Sequence, residues 1–130
     1  MNPRNCNIKH DPPNSYGDCI RACVATMLNR DDVPHVFDGR PYLDAWRSLR
    51  DWLSLIGKTI AVFPTTDHKE FMKENNPGVP YIMLYGAGRG DHAAIFRDGE
   101  KIHDPAWYRS GEVNPHSLGF YIICIVGERI

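Results

Sequence analysis

The chain has 130 residues, a formal net charge of −1, and 42% hydrophobic against 24% charged residues. That is enough apolar material for one domain spanning residues 1–130 with a charged surface, and it excludes a disordered chain. The near-neutral balance argues against nucleic-acid partners, which call for a basic excess to neutralise phosphates.

The N-terminal Met1-Asn2-Pro3-Arg4-Asn5 lacks the apolar core of a signal peptide. The longest apolar run, Tyr121 to Val126, is far short of the ~20 residues that span a bilayer. No membrane association is expected, and a cytoplasmic location is.

In chain order, Pro12-Pro13-Asn14-Ser15-Tyr16-Gly17 is rich in turn formers and reads as a loop. It leads to Asp18, a favourable N-cap. Ile20, Cys23, Val24, Met27 and Leu28 recur at helical spacing, so a helix is expected over Cys19–Leu28, ended by Asn29 or Arg30. Asp31-Asp32-Val33-Pro34 then breaks the chain. A second helix is expected from Tyr42 to Ile56, with Leu43, Trp46, Leu49, Leu53 and Ile56 as its apolar stripe and Gly57 as its stop. Arg47 and Arg50 on it read as a solvated face. A short strand over Thr59–Phe63 and a short helix over Thr66–Glu74 follow.

The second half reads as strands: Pro80–Tyr85, His92–Phe96, Glu100–Asp104 and a continuous apolar Gly119–Val126, expected to be central. Gly86–Asp91 is a glycine-rich turn. Helices first and an antiparallel sheet second make an α+β layout, with N-terminal helices packed on a small sheet.

Four cysteines occur, Cys6, Cys19, Cys23 and Cys124. There is no Cys-x-x-Cys pair and no second pair at zinc-site spacing, so neither a metal nor another cofactor is implied. Cys23 on the apolar helix face and Cys124 within an apolar strand read as small buried hydrophobes. Cys6 reads as a loop or surface thiol. Cys19 differs because it opens a helix. Unpaired backbone N–H groups and the helix dipole favour a thiolate there, and its own N–H can serve an oxyanion. The preceding Gly17 permits close approach of a substrate to the backbone.

A thiol nucleophile needs a histidine base and a group to orient it. His10, His35, His68 and His116 fall in loops or helix starts, where exposed or capping roles are expected. His92 opens a strand and Asp104 closes the next. In a hairpin with a two-residue Asp98-Gly99 loop, His92 would face Pro105 and the two side chains would point to opposite sides. In a three-residue loop with Gly99 at a bulge, His92 faces Asp104 directly. A catalytic pair therefore predicts the three-residue loop.

The order Asp18-Cys19, Asp91-His92, Asp104-Pro105 resembles the C39-type branch of papain-like cysteine peptidases, the bacteriocin-processing peptidases and their relatives. Tyr16-Gly17-Asp18-Cys19-Ile20-Arg21-Ala22-Cys23-Val24-Ala25, followed by Val33-Pro34, also looks like small bacterial and phage proteins of that set. The resemblance runs from about Asn14 to Pro105. It implies a papain-like fold, with Cys19 as nucleophile, His92 as base and Asp104 as its orienter. It also implies a peptide or protein substrate. Family members carry a glutamine several residues before the cysteine to stabilise the oxyanion. Here Asp11-Pro12-Pro13-Asn14-Ser15 has none, and Asn14 is the nearest amide. Asn14, Tyr16, Gly17, Asp18 and Trp107 are the candidate oxyanion and substrate-binding residues.

Two further functions compete with a hydrolase. One is a papain-like binding module, weak or inactive as an enzyme, that sequesters a small ligand or host protein. The other is a purely structural domain. Trp46 is expected in the core, and Trp52, Trp107 and Tyr108 are candidates for a cleft wall.

Overall fold

The structure is a computed structural model that describes residues 2–8, 17–39, 41–65, 68–86, 91–106 and 120–127. Helix α1 spans Cys19–Leu28, the predicted range, and buries Ala22, Cys23, Val24, Ala25 and Thr26. It stops where Asn29 turns left-handed at φ 53°, a conformation asparagine tolerates. Helix α2 spans Tyr42–Leu55. Gly57 ends it at φ 76°, while the N–H groups of Gly57 and Lys58 turn back to the carbonyls of Ser54 and Leu53. This is a Schellman closure, which requires a left-handed residue at that point.

The apolar stripe of α2 differs from the expected one. Ala45, Leu49 and Leu53 are buried, whereas Leu43 is 71% exposed. At 100° per residue Leu43 lies about 120° around the helix from Leu49, off the face that meets the core.

The strands are β1 (Thr59–Thr65), β2 (Tyr81–Gly86), β3 (Asp91–Arg97), β4 (Glu100–His103) and β5 (Phe120–Val126), with α3 (His68–Asn75) between β1 and β2. They form one antiparallel sheet in the order β1-β5-β2-β3-β4. Pro64 lies within β1, beyond the predicted end of that strand. The sheet accepts it because β1 is an edge strand, where a missing N–H need not break a ladder. The apolar β5 is flanked on both sides by β1 and β2, while β2 holds the central position.

The alternation of side chains divides the core. Ile60, Ile82, Leu84, Ala93, Ile95 and Ile123 pack with α1 and α2 on one face. Tyr81, Met83, Tyr85, Ala94 and Phe96 pack with Met72 of α3 on the other. The N-terminal helices thus cover one side of the sheet, and α3 covers part of the opposite side. Trp46 packs against the first cluster, edge-on to Phe37 at 4.9 Å. Trp52 packs at the margin of that cluster, with the Arg30 guanidinium 5.8 Å from its ring. Among the described residues no helix is long and apolar enough to cross a membrane.

The β3–β4 hairpin corrects the predicted turn. Asp98 and Gly99 form a two-residue loop with φ 51° and 82°, and Arg97 pairs with Glu100. Two successive left-handed residues give a type I′ turn, whose twist matches that of the strands. The irregularity lies further along. Phe96 pairs with Lys101, but Ile95 pairs with His103, so Ile102 is an extra residue in β4. That bulge shifts the register by one. Continuing the alternation from the Ile95–His103 pair sets Asp104 on the same side as Ala94 and His92. The expected parity is reached by a bulge in β4 and not by a longer turn.

Candidate active site

Helix α1 packs on β3, and Cys19 at the helix start interacts with His92 near the start of that strand. Cys19 is the first residue of α1 and is partly buried. The first intrahelical bond of α1 runs from Ala22 N–H to the Asp18 carbonyl, so the helix does not consume the N–H groups before it.

His92 is 1% exposed and lies edge-on to Tyr85 at 5.6 Å. Its Nε2 is 2.7 Å from Asp104 Oδ1. Asp104 also accepts the Ala106 backbone N–H at 2.9 Å and lies 3.3 Å from Lys101 Nζ. Burial alone would raise the Asp104 pKa. The hydrogen bonds from His92 and Ala106, with the His92 and Lys101 charges, outweigh it and hold the carboxyl below its ordinary value. An ionised carboxylate only accepts hydrogen bonds, so Nε2 must carry the proton. The other ring nitrogen, Nδ1, is then the basic one in the neutral ring. It is buried, and among the described residues no donor meets it within the strict limits of distance and angle.

Burial works against a charged His92, yet its pKa is raised, because hydrogen bonding to Asp104 and to Cys19 and the charges of both more than compensate. The three residues singled out in the sequence therefore form one electrostatic unit.

The carboxylate of Asp18 lies elsewhere than expected. Asp18 occupies the N-cap position but makes no side-chain capping bond. It is 1% exposed and accepts from Ile8 N at 2.9 Å, Asn7 N at 3.1 Å and Arg21 Nε at 2.6 Å. Burial opposes its ionisation, but these donors prevail and lower its pKa. With its oxygens engaged inside the chain, Asp18 acts on structure. Gly17 is partly buried beside it. Asn14, Tyr16, Trp107 and Tyr108 lie outside the described residues.

What Asp18 holds is the segment of residues 4–8, laid across α1 and the end of β4. Arg4 N donates to Thr26 Oγ1 at 2.9 Å, and Arg21 Nη2 to the Asn5 carbonyl at 3.0 Å. Cys6 N donates to the Pro105 carbonyl at 2.8 Å. His103, for which the sequence suggests no role, bonds the Arg4 carbonyl through Nε2 at 2.7 Å.

This strap overturns the reading of Cys6 as a surface thiol. Cys6 is 4% exposed, with its sulfur 3.2 Å from that of Cys19. Hydrogen bonding to Cys19 first, and burial second, push its pKa far up, so Cys6 keeps its proton. No local pattern around Cys6 signals this, because its partners are distant in the chain. Cys23 fits its expected role, being fully buried with its pKa raised by desolvation. Cys124 is partly buried, and desolvation raises its pKa as well.

Among the described residues no three His, Cys, Asp or Glu side chains are disposed to hold a metal. Comparison with family models, curated proteins and solved structures returned no match.

Proposed function

We propose that the chain is a cysteine hydrolase of papain-like architecture that cleaves a peptide, isopeptide or related amide bond through a thioester on Cys19. The observation that carries this reading is the 2.7 Å His92–Asp104 contact, which engages Nε2 and leaves the buried Nδ1 as the basic nitrogen of a ring whose pKa Cys19 raises.

In this mechanism His92 Nδ1 takes the Cys19 proton and the thiolate attacks the carbonyl carbon. Charge develops on the carbonyl oxygen near the start of α1, where the Cys19 N–H and the helix dipole favour it. The tetrahedral intermediate collapses as the imidazolium protonates the leaving amine, giving the thioester. A water, deprotonated by His92, then releases the acid and restores the thiol. Asp104 holds the ring in the productive tautomer and stabilises the imidazolium, staying ionised throughout. A cytoplasmic peptide or protein is the substrate that fits this reading.

The test is the pH dependence of Cys19 alkylation by iodoacetamide, read by peptide mass spectrometry in wild type, His92→Ala and Asp104→Asn. Folding of each variant is checked by circular dichroism. Fast alkylation near pH 6 that slows in both variants supports the thiolate–imidazolium pair. Ordinary thiol behaviour in all three overturns it and leaves a binding module. With the pair established, a panel of peptide and isopeptide amides is assayed, and the acyl-enzyme is sought as a mass adduct on Cys19.

A further inference from the structure

The strap delivers a second sulfur to the nucleophile that the hydrolase mechanism does not use. Cys6 and Cys19 are 3.2 Å apart, and both are thiols. A disulfide bond is ~2.05 Å, so closure needs an approach of about 1.2 Å. Cys6 is tied on both sides, through the Arg4 and Asn5 carbonyls before it and the Asn7 and Ile8 N–H groups after it. Its own N–H is bonded to the Pro105 carbonyl. A mobile terminus would bring the thiol to Cys19 only transiently, whereas this one is held there.

The two sulfurs differ in access and ionisation. Cys19 is partly exposed, while Cys6 is buried behind it and holds its proton. An oxidant from solvent therefore meets Cys19 first. A lone activated thiolate in that position proceeds from sulfenic to sulfinic acid, which is irreversible, unless another thiol intercepts it.

We propose that Cys6 and Cys19 form a dithiol site for hydroperoxides, in which Cys19 is the attacking sulfur and Cys6 the resolving one. The Cys19 thiolate attacks the terminal oxygen of the hydroperoxide. The O–O bond breaks, the alcohol or water leaves with a proton, and Cys19 becomes a sulfenic acid. Cys6 sulfur then attacks the Cys19 sulfur. The S–O bond breaks, the hydroxyl leaves as water with the Cys6 proton, and the disulfide forms. Two thiols are oxidised by two electrons in all, and the peroxide is reduced by two. A dithiol reductant reverses the change by thiol–disulfide exchange. The disulfide blocks the nucleophile and shields it from over-oxidation, so hydrolysis stops reversibly under oxidising conditions. This inference rests on the proposed Cys19 thiolate, and it adds a partner and a substrate class to it.

The test treats reduced full-length protein with hydrogen peroxide and blocks remaining thiols with iodoacetamide. Intact mass and a non-reducing peptide map are then recorded for wild type, Cys6→Ser and Cys6→Ala. The same reduced preparation is alkylated near pH 6 without peroxide. The expected result is loss of two hydrogens in wild type, a Cys6–Cys19 linked peptide, and full recovery with dithiothreitol. Both variants should instead accumulate sulfinic acid on Cys19, which dithiothreitol does not reverse. Rapid alkylation with equal sulfinic acid in wild type and variants, and no linked peptide, overturns the dithiol site and leaves the hydrolase standing. Slow alkylation removes the activated Cys19 thiolate and overturns the hydrolase and the dithiol site together.

Discussion

Replacing Asp18 with asparagine tests how the strap and the site are joined. The carboxylate gathers three donors at 2.6–3.1 Å while 1% exposed. Asparagine keeps the size but loses the charge, and its NH2 group turns against donors that need an acceptor. Hydrogen bonds to a charged group contribute ~1.5–3 kcal/mol each. Losing the equivalent of two, with water recovering part as the strap lifts, gives a destabilisation of about 2–4 kcal/mol near neutral pH. Total stability for such a domain is of order 5–15 kcal/mol, so the melting temperature should fall by on the order of 10 °C.

The acid dependence carries the sharper signature. The folded-state pKa of Asp18 is depressed below the ordinary 3.8. Its contribution is therefore complete above the unfolded value and lost as pH falls through the folded one. Urea denaturation of wild type and Asp18→Asn should show the full gap near pH 7, narrowing below pH 3.8. Iodoacetamide should also reach Cys6 faster in the variant, because the strap that buries it is released. A gap under about 0.5 kcal/mol at neutral pH, or one that stays constant into acid, would refute the account.

Three further outcomes are expected. Asp104→Asn removes one of the two groups that raise the His92 pKa, and a neighbouring opposite charge shifts a pKa by ~1–3 units, so Cys19 alkylation near pH 6 should slow by about 10-fold or more. An unchanged rate would show that the imidazole charge does not reach the thiol. The His92 pKa lies above 6.5, so its proton-linked stabilisation is complete below 6.5 and is lost as pH rises through the folded value. The stability gap between wild type and His92→Gln, by urea titration, should accordingly be larger near pH 6 than near pH 9, and the opposite trend would contradict the pairing. Gly99→Ala and Gly78→Ala both force a left-handed alanine, at φ 82° and 74°, but only at Gly99 would the new Cβ meet Lys69, at 2.8 Å from Cγ and 2.9 Å from Cα. Gly78→Ala should cost about 1–2 kcal/mol, and Gly99→Ala about 1–3 kcal/mol more from overpacking. Equal thermal shifts would mean that Lys69 yields freely.

The sequence alone determined what depends on near neighbours. Helix α1 over Cys19–Leu28 follows from apolar spacing and an asparagine that turns left-handed. The stop of α2 at Gly57 follows from the one residue type that adopts φ 76° without strain. The same local reasoning put Cys19 at a helix start and His92 at a strand start, and it marked Cys23 as core. Pairing over longer separations was decided by the tertiary structure. The hairpin's Asp98-Gly99 pair permits a two-residue turn, but only packing against the rest of the sheet decides where the compensating bulge falls, here at Ile102. Leu43 obeys helical spacing and yet points to solvent, because the direction of the core is set by the partners of α2 and not by α2 itself. Cys6 meets Cys19 through a strap whose bonds span 10 to 99 residues of chain, from Ile8–Asp18 to His103–Arg4. No local signal encodes such contacts, because each donor and acceptor is ordinary in its own surroundings and finds its partner only when the strap closes over α1 and the end of β4.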